Sequence, residues 1–253
     1  MAQITAALIT VNTGYVLLAF LPPVLWLVFY MREDQHPEPK WLLLSVFGGG
    51  MLAAVGSIVA ECLFVELVGG SSCGGGVRYE RSMLFIFLGI AAIEEYAKYL
   101  VVKLIALRRS DFDEPVDAMI YMMTAAMGFA ALENALFVIP LFRENLFVGL
   151  EVAAHRFLGA NLLHALSSGL VGFFLARAWF RPRRHHWIAL GLFIASLLHA
   201  GFNYLILVRE ALPNATAYLV GLLAMMAVMV FIDFERLKKS SPPSQSSSGV
   251  VSE

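Results

Sequence analysis

Polar residues are clustered along this chain, and long apolar runs lie between the clusters. A bilayer core about 30 Å thick needs roughly 20 apolar residues in a helix rising about 1.5 Å each. Seven runs meet that length: about Leu8–Tyr30, Trp41–Val68, Ser82–Ile105, Asp117–Pro140, Ala153–Trp179, Trp187–Val208 and Asn214–Ile232. Pro22 and Pro23 are expected to kink the first. Gly48-Gly49-Gly50 and Gly56 are expected to let helices approach closely, and the Met-rich stretches 121–127 and 224–229 to pack. The connections carry turn residues, among them 34–39, 69–76, 111–115 and 181–186. The pattern predicts an all-α polytopic transmembrane bundle over residues 1–239, followed by a flexible tail at 240–253.

Composition narrows the class. Of 253 residues 59% are hydrophobic and 15% charged, against roughly 25% charged in a soluble domain. That excludes a disordered chain, a coiled coil, a collagen and an ordinary soluble enzyme. The long unbroken runs exclude a transmembrane barrel, whose strands alternate. A net charge of −1 gives nucleic acid nothing to bind. The two cysteines are too few for a disulfide framework. Cys62 and Cys73 read either as a pair across the Gly/Ser-rich loop or as two thiols.

Charge also orients the bundle. No Lys or Arg precedes Arg32, so there is no basic region of a cleavable signal peptide. Of the 18 Lys and Arg, one set of alternate loops holds only Arg78, Arg81, Arg143, Arg156 and Arg209; Lys98 is inside a span, and the other twelve fall on the opposite side. By the positive-inside rule the N-terminus is outside and the C-terminus cytoplasmic in a cell membrane, the bacterial plasma membrane in this reading.

A charge at mid-bilayer costs at least about 2.5–3.5 kcal/mol on insertion scales. The spans nevertheless hold Glu94, Glu95, Lys98, Glu133, His164 and His199, accompanied by Asn134, Asn161, Ser168 and Asn203. Counting from the outer ends of the spans places Glu94 about 18 Å deep, Glu133 about 10 Å, His164 about 15 Å and His199 about 13 Å. Four helices therefore carry acid or imidazole groups in the middle to outer half of the membrane. Residues four apart share a helix face, which pairs Glu94 with Lys98, His164 with Ser168 and His199 with Asn203; Asn161 joins the His164 stripe. Glu95 points about 100° away from Glu94, so one is expected to act while the other orients it. Two Glu and two His suit a zinc-like divalent metal, or a metal-free centre in which a desolvated Glu is general base toward water. The amides could donate to an oxyanion. An ion- or proton-coupled transporter is the alternative, because intramembrane carboxylates also relay ions.

Four motifs then stand in order. Glu94-Glu95-Tyr96-Ala97-Lys98 resembles EExxK, Gly128 to Asn134 resembles GFAxxEN, His164 to Ser168 resembles HxxxS/T, and His199 to Asn203 resembles HxxxN/D. Pro37-Glu38-Pro39, Asp117 and Arg156 fit the same pattern. Over about residues 30–208 the chain is similar to the PrsW family of intramembrane proteases, which is related to the wider group of CAAX prenyl endopeptidases and bacteriocin-processing enzymes. The resemblance implies hydrolysis of a peptide bond in a membrane-anchored protein, such as an anti-sigma factor, by helices within about 82–208. It implies Glu94 as general base with Glu95 as its companion, and Glu133, His164 and His199 as ligands of a divalent metal, zinc, or as groups polarising the water. It implies Asn203 at the oxyanion; Lys98, Asn134, Asn161 and Ser168, which share the spans with these groups, are expected in support. The wider group has an FxxxH second motif, and here Phe129 is followed four residues later by Glu133 instead of His, so these motifs imply either a metalloprotease or a glutamic protease.

Overall fold

The computed structural model describes residues 2–34, 36–68, 83–179 and 184–239, with side chains from Thr13 onward in the first helix. Cys73, the Gly/Ser-rich loop and the tail 240–253 lie outside the described residues. The helices are α1 (Ala2–Tyr30), α2 (Lys40–Leu67), α3 (Met83–Ile105), α4 (Asp117–Glu144), α5 (Leu146–Leu158), α6 (Ala160–Trp179), α7 (Arg184–Leu207) and α8 (Ala215–Lys238), with a short 3₁₀ turn at Met31–Glu33. Among the described residues there is no strand.

Six segments are long and apolar enough to cross a membrane: Thr13–Glu33, Lys40–Leu67, Asp117–Glu144, Leu146–Trp179, His185–Leu207 and Ala215–Lys238. The 23-residue α3 is long enough too, but carries Glu94, Glu95, Lys98 and Lys103. An ion pair decides how it counts. Lys238 Nζ at the end of α8 lies 2.6 Å from Glu33 Oε2, just past the end of α1. The two helix ends therefore share a face, which requires an even number of crossings after α1. With α3 included there are six, and without it the two charges would lie a bilayer apart.

The expected fifth span is instead two helices. α5 has 13 residues, about 20 Å, and is too short to cross. Asn145 caps it by accepting from the Phe147 and Val148 amides at 2.9 and 3.4 Å. It ends at Gly159, whose φ of −104° and ψ of −88° break the helical path. Hydrophobicity alone does not show this break, because the apolar run continues through it. α1 likewise runs on through Pro22 and Pro23. Pro23 has no N–H for the Ala19 carbonyl one turn back, and Asn134 Nδ2 donates to that oxygen instead at 3.2 Å.

α4 is the central helix. Every residue from Asp117 to Ala131 is buried, packed by α1, α2, α3, α5 and α6. Small residues make that possible. A Cβ on Gly50 would lie 2.1 Å from the Ala125 carbonyl, one on Gly128 1.9 Å from the Phe47 carbonyl, and one on Gly172 2.6 Å from Met119 Cα. Gly49 also meets α3, at 2.7 Å from Val101 Cγ1, whereas Gly48 and Gly56 face open space and do not bring helices together. Met122, Met123 and Met127 are fully buried, as expected of packing residues, while Met225 and Met229 of the second stretch remain partly exposed. His185 and His186 are exposed at the start of α7.

Candidate active site

Five helices converge on one polar centre. α3 supplies Glu94, Glu95 and Lys98, α4 supplies Glu133 and Asn134, α5 supplies Arg156, α6 supplies His164, Ser167 and Ser168, and α7 supplies His199. The expectation that the intramembrane acids and imidazoles meet is fulfilled. Glu94 and Glu95 both reach the centre, from opposite sides of it. Glu95 is wholly buried. It accepts from Lys98 at 2.9 Å, Ser167 at 2.9 Å and Ser168 at 2.8 Å, and lies 3.0 Å from His199 Nδ1. Four partners saturate its lone pairs, which offsets the cost of burying the charge.

Glu94 stands on the other side and opens onto a cavity shared with Glu133. Its Oε2 lies 3.7 Å from His164 Nδ1 and 3.7 Å from His199 Nε2. Ligand atoms of Glu94, His164 and His199 all fall within 4.8 Å of one another. The far nitrogen of each ring is held by another carboxylate: His199 Nδ1 by Glu95 at 3.0 Å and His164 Nε2 by Glu133 at 2.8 Å. Imidazoles backed in this way are the usual setting of a metal-binding His. One carboxylate with two imidazoles is also a donor set suited to zinc. Of the expected ligand set, His164 and His199 face Glu94, while Glu133 stands behind His164. Lys98 Nζ lies 2.8 Å from the same His164 Nδ1, so a cation already occupies that edge of the centre. Its ammonium also sits 4.5 Å over the Phe129 ring.

Arg156 closes the side of the centre formed by Glu133 and Asn134. It donates to Glu133 Oε2 at 2.8 Å and to Asn134 Oδ1 at 2.6 Å. Arg156 stands three residues before the break at Gly159, at the end of α5. Asn134 thus joins the α1 carbonyl freed by Pro23 to the guanidinium that holds Glu133. Ser168 is accounted for by Glu95. Asn203 is half-buried and makes no side-chain hydrogen bond among the described residues. Asn161 is buried, and both of its amide atoms are without a hydrogen-bond partner among the described residues.

Two residues escaped the motif reading. Ser167 contributes through Glu95, and a Ser in an apolar span carries no signal of its own. Glu61 of α2 lines the cavity beside Glu94 and Glu133. Its signal was present, a carboxylate within the apolar run of the second span.

The fold and the site define a multi-pass membrane protein with a buried acid–imidazole centre, the class of intramembrane hydrolases. Comparison with known proteins makes this specific. Residues 38–232 match the family described as PrsW family intramembrane metalloprotease, and the chain belongs to that family. It is 30% identical over 183 residues to Protease PrsW of Geobacillus kaustophilus, covering 72% of this chain and 74% of that protein. It is 29% identical over 215 residues to Protease PrsW of Bacillus subtilis, covering 84% and 87%. Protease PrsW of Oceanobacillus iheyensis is 25% identical over 228 residues, covering 89% and 96%. No solved structure matches the chain. The protein is an intramembrane protease, and the transporter alternative is not favoured.

Proposed function

We propose that the Glu94–His164–His199 face hydrolyses a peptide bond of a membrane-anchored protein, a regulator such as an anti-sigma factor, in the bacterial plasma membrane. The observation that carries this reading is the position of Glu94 Oε2, 3.7 Å from a nitrogen of each imidazole, at the floor of a cavity. Glu94, His164 and His199 would hold a divalent ion, zinc by the chemistry of the donors, and when bound the ion supplies a Lewis acid that polarises the scissile carbonyl.

The chain's own groups perform the remaining work. Glu95 and Glu133 fix the rotation and tautomer of His199 and His164. The polar contacts of Glu94 with Lys98, His164 and His199 fall on Oε2, and Oε1 is the oxygen that takes a proton. Water attacks the carbonyl carbon as Glu94 accepts its proton. Glu94 then returns that proton to the amide nitrogen as the C–N bond breaks. Asn203, one turn beyond His199 with its amide uncommitted, donates to the developing oxyanion.

Lys98 favours a second, metal-free reading, because its ammonium at 2.8 Å from His164 Nδ1 could supply the positive charge itself. The test is one purified preparation, assayed for bound metal and for cleavage of a tagged membrane-anchored substrate. Glu94→Gln and His164→Ala should stay folded and lose cleavage by several hundredfold or more, on the order of general-base loss. Retained cleavage in both variants would defeat the assignment. Loss of activity on chelation, restored by zinc, selects the metal reading; activity indifferent to chelation selects Lys98.

A further inference from the structure

The cavity that ends at Glu94 has a direction. α2 and α4 touch backbone to backbone at Gly50 and Gly128, and from about Ala54 and Phe129 onward a gap lies between their side chains. A cavity of about 300 Å³ fills the wedge. Its inner wall is Glu94, Glu133 and Phe129, all near the catalytic centre. Its rim is apolar and open: Ile58 is 44% exposed, Leu136 51% and Phe137 57%. On a membrane-spanning bundle such a rim faces lipid, so the wedge leads from the bilayer to the centre.

Glu61 stands on this path. It projects from the same face of α2 as Ala54 and Ile58, at i, i+4 and i+7, about 10 Å inside the end of the helix. It makes no ion pair or hydrogen bond among the described residues. The cations nearby are committed elsewhere, Lys98 to Glu95 and His164, and Arg156 to Glu133 and Asn134. A carboxylate on an apolar wall with no donor of its own is a binding group awaiting one.

Resting on the protease reading above, we propose that the wedge between α2 and α4 is the cleft through which an unwound segment of a single-span substrate enters from the lipid, and that Glu61 selects a Lys or Arg side chain beside the scissile bond. The cavity has room for one long side chain with its backbone. A basic side chain lays its methylenes on Ile58 and Phe137 and its charge on Glu61. The cleft therefore discriminates among substrates by where a basic residue falls relative to the cut.

The full-length enzyme in proteoliposomes tests this with single-span peptides carrying Lys, Leu or Glu at successive positions near one membrane boundary. At one position Lys should exceed Leu in kcat/KM by about tenfold or more, the scale of a charge-assisted hydrogen bond. Glu61→Gln should bring that ratio close to one, and Glu61→Lys should turn the preference toward Glu. An unchanged ratio in Glu61→Gln overturns the proposal. A second readout needs no cleavage. A photo-crosslinking residue at Ile58 or Phe137 in the Glu94→Gln background should capture the peptides, and one at Val220 of α8 should not. Capture without cleavage by the native enzyme would sustain the cleft and defeat the protease reading. Cleavage without capture at Ile58 or Phe137 would defeat the cleft and leave the protease reading standing.

Discussion

Lys98 is fully buried in a helix that otherwise reads as a membrane span, and its surroundings explain how it can be there. It donates to Glu95 at 2.9 Å, lies 3.5 Å from Glu94 Oε2 and touches His164 Nδ1 at 2.8 Å. Deleting one member of such a network leaves the opposite charge buried and uncompensated, which costs about 3–5 kcal/mol. Lys98→Met should therefore lower thermal stability in detergent markedly. Lys98→Met combined with Glu95→Gln should recover much of the loss, since the stranded carboxylate is then gone. Equal melting points for wild type and the single variant would show that the pair carries no such coupling. The acids, the imidazoles and Lys98 were legible because a charge inside an apolar run has few benign explanations. The division of labour was not legible. Helix spacing shows that Glu94 and Glu95 diverge by about 100°, but not which of them meets the serines of α6 and which meets the cavity. Asn134 shows the same limit, because its role depends on Pro23 of a helix more than 100 residues earlier.

The connection before α2 is tied to the head of α4. Asp34 closes it locally, accepting from the His36 and Glu38 amides at 3.0 and 3.2 Å, and His36 pairs with Glu114 at 2.5 Å. Glu38 turns inward and accepts a hydrogen bond from Tyr121, with the Asp117 carboxylate beside it. Burial pushes the Glu38 carboxyl up from 4.5 to about 8, and the neighbouring Asp117 charge adds to the effect, against the opposing bond from Tyr121. The folded state then binds a proton that the unfolded chain has already released. Stability from this group is present below about pH 4.5 and is lost as pH rises toward about 8. Glu38→Gln should flatten that part of the profile and melt higher than wild type at pH 8 and above. Parallel melting curves across the window would remove Glu38 as the cause. The motif reading placed Pro37-Glu38-Pro39 and Asp117 in the pattern without a role. Their contact joins two loops some 80 residues apart, which no local periodicity reveals. The hidden break at Gly159 is the same kind of case: hydropathy reports that a segment is apolar and is silent on where it turns.

At the scale of the whole molecule, the Glu33–Lys238 ion pair and the charge distribution constrain the topology independently. The pair places the ends of α1 and α8 on one face. The contact between His36 and Glu114 places the α1–α2 and α3–α4 connections on that face as well. Arg32, Lys40, Lys103, Arg108, Arg109, Arg177, Arg236 and Lys239 cluster at helix ends or connections on the same side, whereas Arg143, Arg156 and Arg209 are near the opposite one. We propose from the positive-inside rule that the basic face is cytoplasmic. On that proposal the chain makes seven crossings with the N-terminus outside and the C-terminus inside, and α3 crosses despite its charges because they are held within the protein. Epitope tags in sealed vesicles check this directly. A C-terminal tag and a tag in the 106–116 connection should share one side, and an N-terminal tag should lie on the other. Both termini on one side would mean that α3 does not cross. Glu94 and Glu95 would then have to meet His164 and His199 by another route, and the outward-opening wedge between α2 and α4 would lose its bearing on the membrane.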